Sequence, residues 1–242
     1  MNTAVILSGG TGSRTGSDIP KQYVESGGRP MICFCMETLF THERIDAVQI
    51  VADEAWRAYI LRHISRMEKQ FAIRGKFRGF SEPGKNRQLS ICHALTDIRK
   101  YAGRDDTVLI HDAARPFVKA EQIERCFRDL EGHDGVLPVL PMKDTVYMAD
   151  GNRISSLLDR TCIFRGQAPE LFLLGKYYEA NRALLPDRIL AVNGSTEPAV
   201  MAGMDICLSE GDEDNFKVTT AGDLERFRKA AGDRGDGVWK RR

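Results

Sequence analysis

The chain has 242 residues, 42% of them hydrophobic, which is enough for a sizeable core and suits one large α/β domain. Lys plus Arg total 35 against 34 Asp plus Glu. No global charge favours nucleic acid or a membrane surface, and any functional charge must be local.

The first apolar run, Ala4-Val5-Ile6-Leu7, is short and β-branched enough to be a buried parallel strand. It leads into Ser8-Gly9-Gly10-Thr11-Gly12-Ser13-Arg14, followed by Pro20-Lys21-Gln22. Without a Cβ at Gly9, Gly10 and Gly12, the backbone can bend sharply and turn successive N–H groups toward phosphate oxygens. Arg14 and Lys21 add full charges, and the combination points to a nucleoside triphosphate. The loop matches neither common glycine fingerprint: it ends in Ser13-Arg14 where a Walker loop needs Gly-Lys-Ser/Thr, and Thr15 stands where a dinucleotide loop needs Gly. On glycine spacing alone, an ordinary strand-to-helix turn is an equal alternative.

Downstream, a helix is predicted over 31–40, carrying Cys33 and Cys35 on its apolar side, then a strand over 47–52. Trp56, Ile60, Ile64 and Met67 recur at helical spacing, which predicts a helix over 54–70. A short strand at 77–80, a helix over 86–101, a strand over 107–110, a helix over 120–130 and a strand over 135–139 follow. Residues 144–163 read as a β-hairpin arm. A last helix begins near Asp223, and residues 230–242 are polar and glycine-rich, as in a loose tail. The alternation predicts an α/β fold: a Rossmann-like three-layer αβα sandwich on a mostly parallel mixed sheet, with a protruding β-arm. One domain over 1–230, with its arm at about 140–163, and a tail over 231–242 are expected.

Cys33, Cys35, Cys92, Cys126, Cys162 and Cys207 lie mostly in apolar segments, with no Cys-x-x-Cys pair and no zinc-like grouping with the five histidines. They read as core thiols in a reducing compartment. No cleavable leader and no membrane-length run is apparent, so a cytoplasmic protein is expected.

Ligands of open α/β sheets bind beyond the carboxyl ends of the strands, which is where His111-Asp112-Ala113-Ala114-Arg115-Pro116 begins. A carboxylate there, near a triphosphate, can hold Mg²⁺, so Asp112 is the candidate metal ligand; a helix cap is the alternative. His111 reads as a packed or hydrogen-bonded histidine rather than a catalyst.

These motifs, with Gly84-Lys85-Asn86-Arg87-Gln88-Leu89-Ser90, Asp144-Thr145 and Asn215-Phe216-Lys217-Val218-Thr219-Thr220, occur in an order and spacing that resembles the cytidylyltransferases forming CDP-methylerythritol or CDP-ribitol. The match runs from about residue 4 to 229. The resemblance implies CTP and a polyol phosphate as substrates, a divalent cation, and catalytic roles for Arg14, Lys21 and Lys217. It further implies CTP contacts at Ser8, Gly9, Gly10, Thr11, Gly12, Gly84, Lys85, Ser90 and Ala113. Acceptor contacts would fall at Asp112, Arg115, Thr145 and Arg160, the last two on an arm that crosses to the mate in a homodimer.

The chemistry is self-consistent. A phosphate nucleophile is already ionised near neutral pH, so no general base is needed. Catalysis reduces to aligning two anions and neutralising their repulsion, which agrees with the absence of a convincing Ser/His/Asp or Cys/His arrangement.

The chain departs from the family at Ala168-Pro169-Glu170, where Thr-Pro-Gln is usual, so a hydroxyl expected near the acceptor phosphate is missing. Ser195-Thr196-Glu197-Pro198-Ala199 and Thr15 also differ from the usual pattern. Gly166-Gln167 is similar to the ribitol-type branch, which slightly favours ribitol 5-phosphate over 2-C-methyl-D-erythritol 4-phosphate. A sugar-1-phosphate nucleotidyltransferase using UTP or GTP and a catalytically impaired homologue are the alternatives.

Overall fold

The buried run near the amino terminus becomes the central strand β1 (Asn2–Leu7) of a computed structural model that describes residues 1–10, 18–71 and 73–233. A short ribbon, β2 (Glu25–Ser26) and β3 (Arg29–Pro30), precedes α1 (Met31–Thr41). The chain then alternates β4 (Ala47–Val51), α2 (Glu54–Gln70), β5 (Phe77–Ser81), α3 (Arg87–Ile98), β6 (Thr107–Asp112), α4 (Ala120–Asp129) and β7 (Gly135–Pro141). A hairpin of β8 (Val146–Asp150) and β9 (Arg153–Leu158) comes next, then β10 (Phe164–Gly166), β11 (Glu170–Leu173) and α5 (Leu174–Arg182). The described chain ends with α6 (Glu197–Met201), β12 (Ile206–Glu210) and α7 (Ala221–Asp233).

The main sheet runs β10, β7, β11, β6, β1, β4, β5, with β12 paired to β7. Strands β6, β1, β4 and β5 are parallel, as are β7 and β12, while β10 and β11 run antiparallel to their neighbours. This is the mixed, mostly parallel α/β sheet expected. Helices cover both faces. Ala4 and Ile6 pack with Met36, Leu39 and Ile60, whereas Val5 packs with Ile91, Leu95 and Ile98 on the opposite face. Burial on both sides explains why β1 reads as an unbroken apolar run instead of an alternating one.

The order of the strands creates the crevice. From β1 the chain lays β4 and then β5 on one side, and returns to place β6 on the other side of β1. The carboxyl ends of β1 and β6 thus meet at a switch point in strand order, the place where ligands of open α/β sheets bind.

Several boundaries differ from expectation. β6 runs on through His111 and Asp112, because both residues keep their ladder pairing with Ile6 and Leu7. α7 starts at Ala221 and reaches Asp233, and buried Ala231 packs in a core cluster with Phe227, Leu224 and Met31. The first residues of the expected tail are thus helical, and the remainder lies outside the described residues. The elements β10, β11, α5, α6 and β12 have no counterpart in the sequence expectations. In particular, the continuous apolar run from Leu171 to Leu174 spans a strand end and a helix start, and its periodicity distinguishes neither.

The arm is present as a separate two-stranded sheet, turned by Gly151 at a φ of 58°, a conformation that suits glycine. Cys33, Cys35, Cys92 and Cys126 are buried, but Cys162 is exposed at the arm and Cys207 is half-buried, so those two are not core thiols. Among the described residues no helix is long and apolar enough to cross a membrane.

Candidate active site

β1 and β6 bring the glycine loop and Asp112 to one edge. Leu7 and Asp112 are register partners, the Ala113 N–H donates to the Leu7 carbonyl at 3.1 Å, and the Ser8 N–H donates to the Val51 carbonyl at 2.9 Å. Two glycines allow the surrounding loops to close. A Cβ on Gly9 would lie 2.7 Å from Pro83 Cβ, and one on Gly84 would lie 2.6 Å from Leu89 Cβ and 2.7 Å from the Ser90 nitrogen. Asn86 caps α3, its side-chain oxygen accepting the Leu89 N–H at 2.8 Å, and Ser90 Oγ accepts the Gly84 N–H at 2.9 Å. The positive end of the α3 dipole therefore lies at the edge of the crevice.

The resulting cleft has a volume of about 470 Å³, and Gly9, Gly10, Lys21, Lys85, Arg87 and Lys217 line it together with Asp112. A depression of similar volume, about 480 Å³, lies between α1 and α4, but Glu37, Glu43, Glu121 and Glu124 line it. Its carboxylates would repel a triphosphate, whereas the first cleft attracts one.

Asp112 organises the cationic wall. Its Oδ1 accepts a hydrogen bond from Arg87 Nε at 2.9 Å, and its Oδ2 lies 2.9 Å from Lys217 Nζ and 3.7 Å from Arg115 Nε. Burial opposes ionisation of Asp112, but Arg87, Lys217 and Arg115 overcome it and hold the carboxyl well below the usual carboxylate range. Burial likewise opposes the charge on Arg87, yet Asp112 and Glu170 keep its pKa above the ordinary value. In Arg115 burial prevails and lowers the pKa.

Lys217 owes its position to the residues around it in the motif. Asn215 is fully buried, donating to the Ala168 carbonyl at 2.7 Å and to Gln122 Oε1 at 2.9 Å. Its own carbonyl accepts from Arg115 at 2.8 Å. The Val218 N–H donates to the Ala114 carbonyl at 2.8 Å, and Asp223 accepts the N–H groups of Thr219 and Thr220, both at 2.9 Å. With Asn215 and Val218 turned inward, Lys217 is left to face the cleft.

The structure thus brings Lys21, Lys217, Asp112, Gly9, Gly10, Gly84, Lys85 and Ser90 onto one cleft. Arg115 joins them through Asp112. Ser8 and Ala113 lie beneath it: Ser8 is 2% exposed and its hydroxyl donates to the Tyr23 hydroxyl at 2.8 Å, while Ala113 is 1% exposed in the core. Thr145 and Arg160 belong to the arm, where Arg160 donates to the Lys143 carbonyl at 2.9 Å, and neither lines the cleft of its own chain. Thr11, Gly12 and Arg14 lie outside the described residues. His111 is fully buried and its Nε2 bonds the Arg115 carbonyl at 2.9 Å, in line with the packed histidine expected.

Arg87 and Glu170 were given no role by the sequence. Arg87 stands in a quoted motif, but its pairing with Asp112 depends on a contact between α3 and β6 that has no local signal. Glu170, paired with Ile110 across β11 and β6, accepts a hydrogen bond from Ser195 Oγ. Burial raises its pKa against the pull of Arg87.

Among the described residues no group of three or more His, Cys, Asp or Glu side chains converges, and both oxygens of Asp112 already face cations.

A family model described as "IspD: 2-C-methyl-D-erythritol 4-phosphate cytidylyltransferase" matches residues 2–229. The chain is 35% identical to the bifunctional enzyme IspD/IspF of Granulibacter bethesdensis over 94% of its own length, and spans 55% of that longer protein. It is 32% identical to the 2-C-methyl-D-erythritol 4-phosphate cytidylyltransferase of Thermotoga neapolitana, covering 96% of this chain and 97% of that one. Identity to the ribitol-5-phosphate cytidylyltransferase of Streptococcus agalactiae is 29%, over 94% of each. The crystal structure of 4-diphosphocytidyl-2C-methyl-D-erythritol synthase from Anaerococcus prevotii shares the fold, with a TM-score of 0.78 at 22% identity over 96% of both chains. The chain belongs to the 2-C-methyl-D-erythritol 4-phosphate cytidylyltransferase (IspD) family.

Proposed function

We propose that this protein transfers CMP from CTP to a polyol phosphate with release of pyrophosphate. The observation that carries this reading is the meeting of Lys21, Arg87 and Lys217 with the backbone of Gly9 and Gly10 at one sheet-edge cleft. An oxygen of the acceptor phosphate attacks the α-phosphorus of CTP, forming a new P–O bond as the bond to the pyrophosphate oxygen breaks. The nucleophile is already an anion, so no proton need be removed. What the protein supplies is fixed positive charge where negative charge accumulates, which costs no reorganisation during the step.

Asp112 serves this chemistry as the common counter-ion of Arg87, Arg115 and Lys217, holding three mutually repelling cations in place. Arg14, adjoining the glycine loop in sequence, is assigned to the triphosphate with Lys21. The divalent-cation requirement expected from the sequence would be met by Mg²⁺ arriving on the triphosphate oxygens, since Mg²⁺ commonly binds with few protein carboxylates.

The names of the relatives favour 2-C-methyl-D-erythritol 4-phosphate as acceptor: it is named for the Thermotoga protein at 32% identity, against 29% for the ribitol-5-phosphate enzyme. Ribitol 5-phosphate remains the second reading, on the Gly166-Gln167 segment. A homodimer would complete the site. The arm exposes Ile154 at 69% and Leu157 at 65%, and an isolated two-stranded hairpin with an apolar face gains stability by being covered. A second copy would cover it and receive Thr145 and Arg160 at its acceptor subsite. No membrane or nucleic-acid partner is invoked, and a cytoplasmic setting suits a cleft that uses soluble nucleotide.

Pyrophosphate release measured with CTP, UTP, GTP and ATP against both polyol phosphates and a sugar 1-phosphate tests the proposal. CTP-selective turnover with either polyol phosphate is expected. Turnover only with UTP or GTP and a sugar 1-phosphate, or CTP binding without product, would overturn it.

A further inference from the structure

Gln22 stands in the quoted Pro20-Lys21-Gln22 run, but neither the sequence nor the family resemblance gave it a role. The residue is 3% exposed. Its Nε2 donates to the Ser8 carbonyl at 2.8 Å and to the Gly10 carbonyl at 2.7 Å. One carboxamide thus spends both of its N–H bonds on two carbonyls of the glycine loop. The Ser8 carbonyl also accepts from the Tyr23 hydroxyl at 3.2 Å, and the Tyr23 ring stacks on Trp56 with centroids 4.1 Å apart, so the donors are themselves held from behind.

A trans peptide points its C=O and N–H in opposite directions. Drawing the Ser8 carbonyl down onto Gln22 therefore turns the Gly9 N–H the other way, and the bond to the Gly10 carbonyl pins the loop a second time two residues on. Gly9 and Gly10 line the cleft. Glycine peptides rotate easily, so the sequence of this loop permits the opposite orientation, in which carbonyl oxygens would face an incoming anion.

We propose that Gln22 is a positioning residue that sets which pole of the loop's peptide dipoles faces the triphosphate, making the loop a donor surface. The inference rests on the cytidylyltransferase reading and deepens it. It assigns Gln22 to the phosphate part of CTP, and neither to the nucleoside part nor to the acceptor.

The test is equilibrium binding of CTP and of cytidine to wild type, Gln22→Glu and Gln22→Met, at pH 8 and pH 5, with thermal melts of each. At pH 8 the carboxylate in Gln22→Glu accepts only and repels both carbonyls. CTP should then bind roughly 10- to 100-fold more weakly than to wild type, the effect of two lost donors, while cytidine affinity changes little; the buried carboxylate also lowers the melting temperature, so Gln22→Met, which adds no charge, serves as the variant that keeps the fold. Burial beside two carbonyls favours the protonated carboxyl as pH falls, and the carboxyl so protonated at pH 5 regains one donor, so the deficit of Gln22→Glu relative to wild type should shrink. Gln22→Met, which has no donor at either pH, should keep its deficit. Equal loss of CTP and cytidine binding, or a deficit that ignores pH in Gln22→Glu, would overturn the positioning role. If wild type itself does not bind CTP, the functional reading fails instead.

Discussion

Lys217 Nζ lies 2.9 Å from Asp112 Oδ2, while Arg87 Nε lies 2.9 Å from the other carboxylate oxygen. One buried carboxylate thus ties the loop before α7 to the first turn of α3. The substitution Asp112→Asn keeps the shape of the side chain but leaves three cations without their shared counter-ion. Loss of a buried partner of this kind should lower stability by about 3 kcal/mol and kcat by at least ~100-fold. Denaturant melts and steady-state kinetics measure both, and wild-type stability in the variant would contradict the network. Lys217→Ala should reduce kcat about 100-fold while weakening CTP binding far less, as expected for charge used mainly in the transition state.

The two glycine loops respond differently to an added methyl group. Gly84→Ala forces a Cβ to within 2.6 Å of Leu89 Cβ, whereas a Cβ on Gly10 meets nothing within 4 Å. Gly84→Ala should therefore cost about 1–3 kcal/mol of stability and raise the KM for CTP by displacing the start of α3. Gly10→Ala should fold as wild type does. Comparable melting temperatures for the two variants would refute the steric account.

Burial lowers the pKa of His111 from the usual 6.5 to about 4. The folded protein binds fewer protons there than the unfolded chain, so stability rises with pH across this window. The contribution is complete above pH 6.5 and disappears as pH falls to about 4, a difference on the order of 3 kcal/mol. Asp112 is held lower still and adds its effect at more acidic pH. Urea titrations at steps between about pH 7 and pH 3.5, bracketing that window, should show the slope in wild type and a flatter dependence in His111→Gln.

The arm yields a prediction at two levels. Ile154→Asp with Leu157→Asp should shift the protein from dimer to monomer in light scattering and abolish turnover without unfolding the main sheet, since the arm forms its own two-stranded sheet. Arg160→Ala should raise the KM for the polyol phosphate and leave that for CTP unchanged. A monomeric wild type, or unaltered acceptor kinetics in Arg160→Ala, would remove the arm from the site.

The parallel half of the sheet was readable from the chain because its strands are buried on both faces and its helices repeat with a clear apolar period. Residues 54–70 and 120–130 show this well. The antiparallel strands were not, because β10 and β11 are only three and four residues long and β11 runs directly into a helix. At the site, Gly84 and Lys217 were marked by motif, but Ser8 turned its hydroxyl away from the cleft toward Tyr23, a contact that no local pattern announces.

Residue order alone identified the α/β class, the glycine loop and the cations, since periodicity, turn chemistry and charge are properties of neighbouring residues. Which cations share Asp112, which carbonyls Gln22 restrains and why Glu170 stays buried beside Arg87 emerged from folding. Each depends on side chains from distant segments meeting where low solvent access makes a single charge or hydrogen bond count.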